Sequence, residues 1–219
     1  MNHELKNKNG LFITFEGIDG CGKSTQVKKT VEYLKRVQDK EVIVFREPGG
    51  NEIGEKIREI LLNKKFNNMS NETELLLFIA NRAQLVKNNI KTELDNGNIV
   101  ICDRFIDSTT AYQGYGRGLS INFINSLNNF ATLDGEIIPE FTFFIDLSPI
   151  EAEKRVHSRG EEINRMEKEG IDFFSKIYNG FKKIAKNEKD RFITIDGNNS
   201  IDNIFNKIKI KLNTNLGIK

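Results

Sequence analysis

An eight-residue motif near the start of the chain limits its possible folds more than any other feature. Residues 17–24 read GIDGCGKS and match the pattern G-x-x-x-x-G-K-[ST] in full. An apolar run over residues 11–15 precedes the motif, and Val27 and Val31 follow it at helical spacing. In such a strand, loop and helix unit, backbone N–H groups of the loop enclose phosphate oxygens at the helix N-terminus. The motif therefore predicts an α/β fold that binds a nucleotide through its phosphates.

The residues of this loop can be assigned roles in holding a nucleoside triphosphate. Lys23 is expected to contact the β- and γ-phosphates, and the hydroxyl of Ser24 is expected to ligate Mg²⁺. A guanine-reading N-K-x-D motif is missing, because residues 63–66 read NKKF and residues 187–190 read NEKD, so ATP is the expected donor. The predicted ATP-binding residues of the loop are Gly17, Ile18, Asp19, Gly20, Cys21, Gly22, Lys23, Ser24 and Thr25.

Five short apolar runs alternate with longer helical segments along the chain. This order predicts a parallel sheet with helices on both faces. Ligands of such sheets bind at the carboxyl ends of the strands, so we expect the chemistry to follow Phe15, Phe45 and Cys102. A long helix is predicted over residues 72–94. The predicted strands cover residues 11–15, 41–45, 98–102, 141–146 and 191–195.

Composition excludes several classes of protein. With 33 Lys and Arg against 31 Asp and Glu, the net charge of +2 argues against a dedicated nucleic-acid binder. No apolar run approaches the ~18 residues of a membrane-spanning helix. Cys21 and Cys102 can form neither a disulfide framework nor a four-thiolate metal site. The N-terminus lacks the apolar core of a secretion signal, so we expect a cytoplasmic protein. The length of 219 residues predicts a single domain, 1–219, with residues 1–10 as a flexible extension.

Four further segments carry polar and aromatic residues that the phosphate loop does not explain. They read REPGG at 46–50, LLFIANR at 76–82, DRFIDSTTAYQG at 103–114 and RGEEINR at 159–165. In this order, together with the loop, the segments resemble the thymidylate kinase family over residues 11–210. The resemblance implies a P-loop kinase fold with a five-stranded parallel sheet and a short helical lid, residues 149–170. It also implies a homodimer that uses ATP, Mg²⁺ and dTMP.

Phe78 and Arg82 are expected to form a platform for the base. Four residues apart on a helix, they share one face, and a ring beside a guanidinium offers stacking and directed hydrogen bonds. From the residues alone, a core phenylalanine beside a surface arginine is the commoner arrangement. The resemblance implies that Phe78 stacks on thymine and that Arg82 bonds its edge. It adds three further contacts to that edge, from Ser108, Thr109 and Gln113.

Other residues are assigned to the sugar and the phosphate of dTMP by the same resemblance. The ring of Tyr112 would lie beneath the deoxyribose and exclude a 2′-hydroxyl. Arg58 and Arg104 would clamp the phosphate, because a planar guanidinium pairs bidentately with phosphate oxygens. Judged on its own, Arg58 also fits an exposed charge on a helix. Asp19 would lie near the 3′-hydroxyl or the phosphate of the acceptor, and a turn-forming role fits it as well.

Three residues that follow predicted strands complete the candidate site. Pro48 restricts Glu47 to extended geometry, and the peptide bond between them can be cis. Both are expected at the dTMP site, and Glu47 is a candidate partner for a water bound to Mg²⁺. Asp103 ends an apolar strand, where a carboxylate can orient Mg²⁺ directly or through water. A strand-terminal turn is the alternative role for Asp103.

Residues 149–170 are dense in charge. Such runs are usually solvated helices. However, residues 18–21 of the loop contain no arginine, and the transition state needs positive charge beyond Mg²⁺ and Lys23. We therefore expect Arg159 and Arg165 to supply it, as in the bacterial subtype with catalytic lid arginines, and Arg155 to pack on adenine by analogy. The predicted catalytic residues are Lys23, Asp103, Arg104, Arg159 and Arg165.

The expected reaction is phosphoryl transfer from ATP to dTMP, which gives ADP and dTDP for dTTP synthesis. The acceptor phosphate oxygen is already ionised at neutral pH, so no strong general base is required. One alternative is another nucleotide or nucleoside kinase on the same fold. A second alternative, from a different class, is a P-loop sensor or interaction module that binds ATP without a small-molecule acceptor.

Overall fold

A five-stranded parallel sheet forms the centre of the protein. The computed structural model describes residues 10–158, 160 and 163–218. The strands are β1 (Leu11–Glu16), β2 (Val42–Arg46), β3 (Ile99–Asp103), β4 (Phe141–Asp146) and β5 (Phe192–Asp196). They lie in the order β2-β3-β1-β4-β5, and every neighbouring pair is parallel. The predicted α/β fold class is confirmed.

Each predicted strand matches an observed strand to within one residue at either end. All six residues of β1 are buried, because the central strand of a parallel sheet is covered on both faces. The edge strands β2 and β5 contain exposed and half-buried positions. Of the predicted N-terminal extension, residues 1–9 lie outside the described residues, and Gly10 is buried.

Helices cover both faces of this sheet. The α-helices are α1 (Lys23–Val37), α2 (Glu52–Leu62), α3 (Asn71–Leu85), α4 (Lys91–Asp95), α5 (Ile106–Thr109), α6 (Ile121–Ala131), α7 (Pro149–Ser158), α8 (Ile171–Asn187) and α9 (Ile201–Leu216). The long helix predicted over 72–94 is confirmed, with a π-helical turn, Val86–Ile90, between α3 and α4. A second π-helical segment, Thr110–Gly116, follows α5. Among the helices of the described residues, none has the length and apolar character needed to cross a membrane.

The side chains of β1 alternate between two apolar layers, as the pleat of a strand requires. Leu11, Ile13 and Phe15 belong to a layer that includes residues of α1, α8 and α9. Phe12 belongs to the opposite layer, which includes residues of α3, α4 and the turn between them. Both layers hold the sheet rigid beneath the loops at its carboxyl edge.

The carboxyl ends of β1, β2 and β3 lie side by side. In the register of the sheet, Asp103 is opposite Phe15 on one side and Arg46 on the other. Beyond the strands, the N–H of Glu47 donates to the carbonyl oxygen of Asp103, and the N–H of Arg104 donates to that of Phe15, both at 3.0 Å. The three loops therefore leave the sheet as one joined surface, at the edge where the sequence predicted the chemistry.

Candidate active site

The phosphate loop, residues 17–24, packs closely on its surroundings. Gly17 has a φ of 141° and Gly20 a φ of 84°, both in the region that favours glycine. A Cβ at Gly17 would lie 2.7 Å from Sγ of Cys21 and 2.8 Å from the carbonyl oxygen of Ile145. A Cβ at Gly20 would collide with the carbonyl oxygen of Ala152, because α7 lies against the loop. Side chains are therefore excluded from both positions.

Lys23 is held over this loop by backbone carbonyl groups. Its Nζ donates to the carbonyl oxygens of Gly17 at 3.1 Å and Ile18 at 3.0 Å. Burial raises the pKa of the neighbouring Cys21 thiol, so this cysteine is a packed side chain and not a reactive thiolate. Thr25 is exposed in the first turn of α1. The loop thus presents the Lys23 ammonium group within a frame of backbone dipoles, which suits phosphate binding.

Ser24 and Asp103 form a pair of oxygen ligands beside the loop. The hydroxyl of Ser24 donates to Oδ2 of Asp103 at 2.8 Å. This donor set fits Mg²⁺, which takes one or two protein oxygen ligands and completes its shell with waters and phosphate oxygens. The carboxylate of Glu47, in contrast, is buried in an ion pair with Arg82. Its predicted contact with a metal-bound water stays a prediction.

A cavity of about 580 Å³ extends over the phosphate loop. Its walls combine the loop with residues that follow β2 and β3, with α2, and with α7 and the chain after it. The lining residues are Asp19, Gly20, Gly22, Lys23, Ser24, Thr25, Arg46, Glu47, Arg58, Asp103, Arg104, Arg155, Asn164 and Glu167. We call this space the loop cavity.

Arg104 joins the loop to the segment after β3. Its guanidinium donates to the carbonyl oxygen of Gly17 at 2.8 Å, to Oδ1 of Asp19 at 2.7 Å and to Oγ of Ser108 at 2.9 Å. The hydroxyl of Tyr112 donates to the other oxygen of Asp19 at 3.0 Å. Burial opposes ionisation of Asp19, but the nearby charges of Arg104 and Lys23 hold the pKa of this carboxyl well below its usual range. The site therefore keeps a fixed carboxylate and a fixed guanidinium in contact.

A second, smaller cavity of about 100 Å³ shares Arg104 with the loop cavity. All eleven residues predicted to bind dTMP line it: Asp19, Glu47, Pro48, Arg58, Phe78, Arg82, Arg104, Ser108, Thr109, Tyr112 and Gln113. Leu62, Phe105, Asn164 and Met166 complete the wall, although none of the four was predicted to bind a substrate. We call this space the acceptor pocket.

Arg82 is buried at the base of the acceptor pocket, with 1% of its side chain exposed. Its guanidinium donates to Oγ1 of Thr109 at 3.0 Å and to Oδ1 of Asn128 at 2.7 Å, and it forms an ion pair with Glu47. The guanidinium carbon lies 5.2 Å from the centre of the Phe105 ring. The alternative of a surface arginine is therefore wrong for Arg82. Phe78, one turn earlier, is half-buried at the pocket wall.

The loop after β2 presents its backbone to the acceptor pocket. The peptide bond between Glu47 and Pro48 is cis. The half-buried guanidinium of Arg58 donates to the carbonyl oxygen of Pro48 at 2.9 Å, so Arg58 is not the freely exposed helix charge that was its alternative. Burial, together with the charge of Arg46, lowers the pKa of Arg58. An anion beside Arg58 would relieve this repulsion.

Comparison with known proteins agrees with this arrangement of two joined cavities. A family model described as thymidylate kinase matches residues 15–208, which is most of the chain. The chain belongs to the thymidylate kinase family. The resemblance inferred from the sequence motifs is thereby confirmed.

Curated and solved thymidylate kinases match the chain over nearly its whole length. A thymidylate kinase of Thermoanaerobacter sp. (strain X514) is 48% identical over 188 residues, which cover 86% of this chain and 90% of the relative. One of Kosmotoga olearia is 46% identical over 198 residues, which cover 90% and 93%. A crystal structure of thymidylate kinase from Ehrlichia chaffeensis superposes with a TM-score of 0.77 at 35% identity and covers 93% of this chain and 99% of that one.

The arginines expected in the lid of this thymidylate kinase family member have different surroundings. Arg155 lines the loop cavity and donates to the carbonyl oxygen of Gly197 at 3.1 Å. Arg165 is among the lining residues of neither cavity, because its buried guanidinium pairs with Glu74 at 2.6 Å. Arg159 lies outside the described residues. The catalytic roles of Arg159 and Arg165 stay predictions, and Arg165 does not have the phosphate-facing position that we expected.

Glu16 is a buried carboxyl group that supports the segment after β3, and no sequence motif indicated it. Its Oε1 accepts from the N–H groups of Phe105 at 2.7 Å and Ser108 at 3.2 Å, and its Oε2 accepts from Oγ of Ser108 at 2.6 Å. Burial, with a smaller effect of Asp107, raises the pKa of Glu16 from 4.5 to about 7. A glutamate at the end of a buried strand was the available sequence signal, since an acidic side chain there must find donors.

Proposed function

We propose that this protein transfers the γ-phosphoryl group of ATP to dTMP and releases ADP and dTDP, as a step of dTTP synthesis. The observation that carries the proposal is the wall shared by the two cavities. Asp19, Glu47, Arg58, Arg104 and Asn164 line both the loop cavity and the acceptor pocket. A donor held by the loop and an acceptor held in the pocket would therefore meet at the same five residues, four of them charged, which is the positioning that phosphoryl transfer requires.

On the donor side, the amides of residues 17–24 and the Nζ of Lys23 would hold the phosphates of ATP. Ser24 and Thr25 lie in the first turn of α1, and Arg155, which lines the loop cavity, would pack on adenine. Ser24, with Asp103 directly or through water, would hold Mg²⁺, which neutralises phosphate charge when bound.

On the acceptor side, Arg58 and Arg104 would hold the phosphate of dTMP with their guanidinium groups. Phe78 would stack on thymine, and Arg82 would bond its edge with Ser108, Thr109 and Gln113. Because Arg82 already donates to Thr109 and Asn128, its position is set before the base arrives. Such preorganisation lowers the cost of binding.

The reaction needs no strong base from the protein, because the attacking phosphate oxygen is ionised at neutral pH. Lys23, Arg104 and the lid arginine Arg159 would stabilise the negative charge that develops in transfer. Arg165 would do so only after leaving its ion pair with Glu74. Closure of the lid, residues 149–170, over the shared wall would exclude water and so suppress ATP hydrolysis.

A homodimer is part of the proposal. Apolar side chains are exposed on three helices that pack side by side: Ile53 and Ile60 of α2, Leu76 of α3, and Phe123 and Phe130 of α6. A second copy of the chain would cover them. Sedimentation of the wild-type protein and of Phe130→Asp tests this: a dimer that the variant breaks is expected, and a wild-type monomer at micromolar concentration would contradict it.

With ATP and dTMP as substrates, a cytoplasmic location remains our expectation.

The direct test of the activity is ADP release with ATP, Mg²⁺ and a panel of acceptors: dTMP, dUMP, UMP, CMP and AMP. Lys23→Met is the control for contaminating kinases, because it removes the ammonium group from the loop. We expect rapid turnover with dTMP, with dUMP a poor second. If only a different acceptor supported turnover, the assignment of the phosphate site would stand and the assignment of the base site would be wrong. ATP binding without any acceptor turnover would favour the sensor alternative.

A further inference from the structure

Glu74 accepts hydrogen bonds from three side chains, in two parts of the chain, behind the acceptor pocket, and no sequence motif indicated it. Its side chain is 1% exposed. Oε1 accepts from Nε2 of Gln113 and from Nε of Arg117, both at 3.0 Å. Oε2 accepts from Nη2 of Arg117 at 3.1 Å and from Nη2 of Arg165 at 2.6 Å. One carboxylate of α3 thus joins the π-helical segment after α5 to the turn that holds Arg165.

The first consequence concerns the amide of Gln113. Burial opposes ionisation of Glu74, but hydrogen bonds from Arg117 and Gln113 lower its pKa, so it is ionised at neutral pH and can only accept hydrogen bonds. Gln113 must therefore turn its NH₂ group toward Glu74. The amide atom that Glu74 does not engage is the acceptor Oε1. Gln113 lines the acceptor pocket, and an acceptor there suits a pyrimidine that carries a proton on N3.

The second consequence concerns the turn formed by residues 163–169, which we call the roof turn. Asn164 and Met166 of this turn line the acceptor pocket, and Asn164 also lines the loop cavity. Arg165 lies between them and binds Glu74 directly. At the other end of the turn, Glu169 accepts from Nη1 of Arg117 at 2.6 Å, and Arg117 is itself held by Glu74. Glu74 therefore supports both ends of the roof turn.

We propose that Glu74 is a positioning residue that fixes the amide of Gln113 for a pyrimidine with an N3 proton and ties the roof turn over the acceptor pocket. The first half of the proposal, which concerns the amide of Gln113, rests on the proposed function because it explains recognition of dTMP. The second half, which concerns the roof turn, does not depend on the substrate. In this way the same carboxylate would couple base recognition to the position of the chain above the transferred group.

Three single variants separate the two halves. Glu74→Gln removes the charge, so the Gln113 amide is no longer forced into one orientation and Arg165 loses its ion pair. Arg165→Gln removes the ion pair with Glu74 and the hydrogen bond from Nε of Arg165 to the carbonyl oxygen of Leu61, while Gln113 and Arg117 keep their bonds to Glu74. Glu72→Gln is the matched control, an exposed glutamate on the same helix. The measurements are calorimetric dissociation constants for dTMP and dCMP, and hydrogen–deuterium exchange of peptides that cover residues 163–170.

We expect Glu74→Gln to reduce the preference for dTMP over dCMP by about tenfold and to speed exchange in the roof turn by about tenfold. Arg165→Gln should also speed exchange in the roof turn and keep the preference within about twofold, and Glu72→Gln should change neither. If Glu74 had only a structural role, Glu74→Gln would weaken the binding of dTMP and the binding of dCMP equally, and that result would overturn the proposal. If hydrogen–deuterium exchange of the roof turn were unchanged in Glu74→Gln, the proposed tether by Glu74 would be overturned.

A charge-balanced variant covers the case in which Glu74→Gln does not fold. Glu74→Gln combined with Arg165→Gln removes one charge of each sign, and Arg117 keeps Glu169. Compared with Arg165→Gln alone, this double variant should show the whole loss of preference, and an unchanged preference would overturn the role in base recognition. If the wild-type protein does not bind dTMP, both the proposed function and the role of Glu74 in base recognition are wrong. The exchange data still test whether Glu74 holds the roof turn.

Discussion

The hydroxyl of Ser24 donates a hydrogen bond of 2.8 Å to Oδ2 of Asp103, although 79 positions separate the two residues. The contact connects the first turn of α1 to the last residue of β3. It brings a hydroxyl and a carboxylate together beside the phosphate loop, which is the combination expected of a nucleotide-linked Mg²⁺ site.

Replacement of Asp103 by Asn should raise the Mg²⁺ concentration needed for half-maximal activity by about tenfold or more, because the amide keeps the shape and loses the charge. A Mg²⁺ titration of ADP release at fixed ATP and dTMP measures this. Asp202→Asn is the control, since Asp202 is an exposed aspartate with 80% of its side chain accessible. A Mg²⁺ curve identical to that of the wild type would remove Asp103 from the metal site.

Arg82→Ala should raise the KM for dTMP strongly, while ATP binding persists. It should also lower the free energy of unfolding by about 3–5 kcal/mol, because Glu47 would be left buried without its partner. Phe78→Ala separates binding from stability: Phe78 is half-buried, so we expect about a tenfold rise in KM with a small change in stability. Steady-state kinetics and urea unfolding measure the two effects. An unchanged KM in a folded Arg82→Ala variant would refute the base site.

Tyr112→Phe should retain the preference for dTMP over 5-methyl-UMP, because the ring remains. Its kcat should fall by about threefold to tenfold, because the hydroxyl bonded to Asp19 and Arg104 is lost. Tyr112→Leu removes the ring and should relax the preference by about tenfold. Kinetics with the two nucleotides measure both effects. A preference that survives in Tyr112→Leu would show that the ring does not exclude the 2′-hydroxyl.

Glu16 should make the stability of the protein decrease between about pH 4.5 and about pH 7. Its folded-state pKa is raised, so the folded protein holds the proton more tightly than the unfolded chain. The corresponding stability is present below pH 4.5 and is lost as the pH rises through about 7. The loss is at most about 3 kcal/mol. Urea unfolding at pH 5 and at pH 7.5 measures it for the wild type and for Glu16→Gln.

In Glu16→Gln, the amide oxygen can accept from Phe105 and the NH₂ group can donate to Ser108, so the fold should persist with a flatter dependence on pH. Glu32→Gln serves as the control, because Glu32 is exposed on α1. An equally steep dependence in Glu16→Gln would mean that another group titrates.

The strands and eleven of the fifteen residues that line the acceptor pocket could be predicted from the sequence, but the burial of Arg82 could not. Buried parallel strands appear as short apolar runs, so all five were located to within one residue. Arg82 by itself indicated a surface charge. Its burial depends on Glu47, 35 positions earlier, which neutralises it in the interior.

The burial of Arg165, in the predicted lid, could not be predicted from the sequence either. The lack of an arginine at residues 18–21 and the resemblance to the family predicted that Arg165 faces the phosphates. Instead, Glu74, 91 positions away, takes its guanidinium into a buried cluster. The π-helical turn at Val86–Ile90 also had no sequence signal, because the apolar spacing of a helix tolerates one local change of pitch.

The sequence by itself determined the phosphate loop, the order of strands and helices, and the family, because these depend on glycines, apolar runs and motifs that are close together in the chain. Only the tertiary structure decided which charges are buried, and with which partners. The burial of a charge is tolerated where a distant segment supplies the opposite charge or hydrogen bonds. For Arg82, Arg165 and Glu74, those partners come from other elements of the fold, and the sequence does not reveal them.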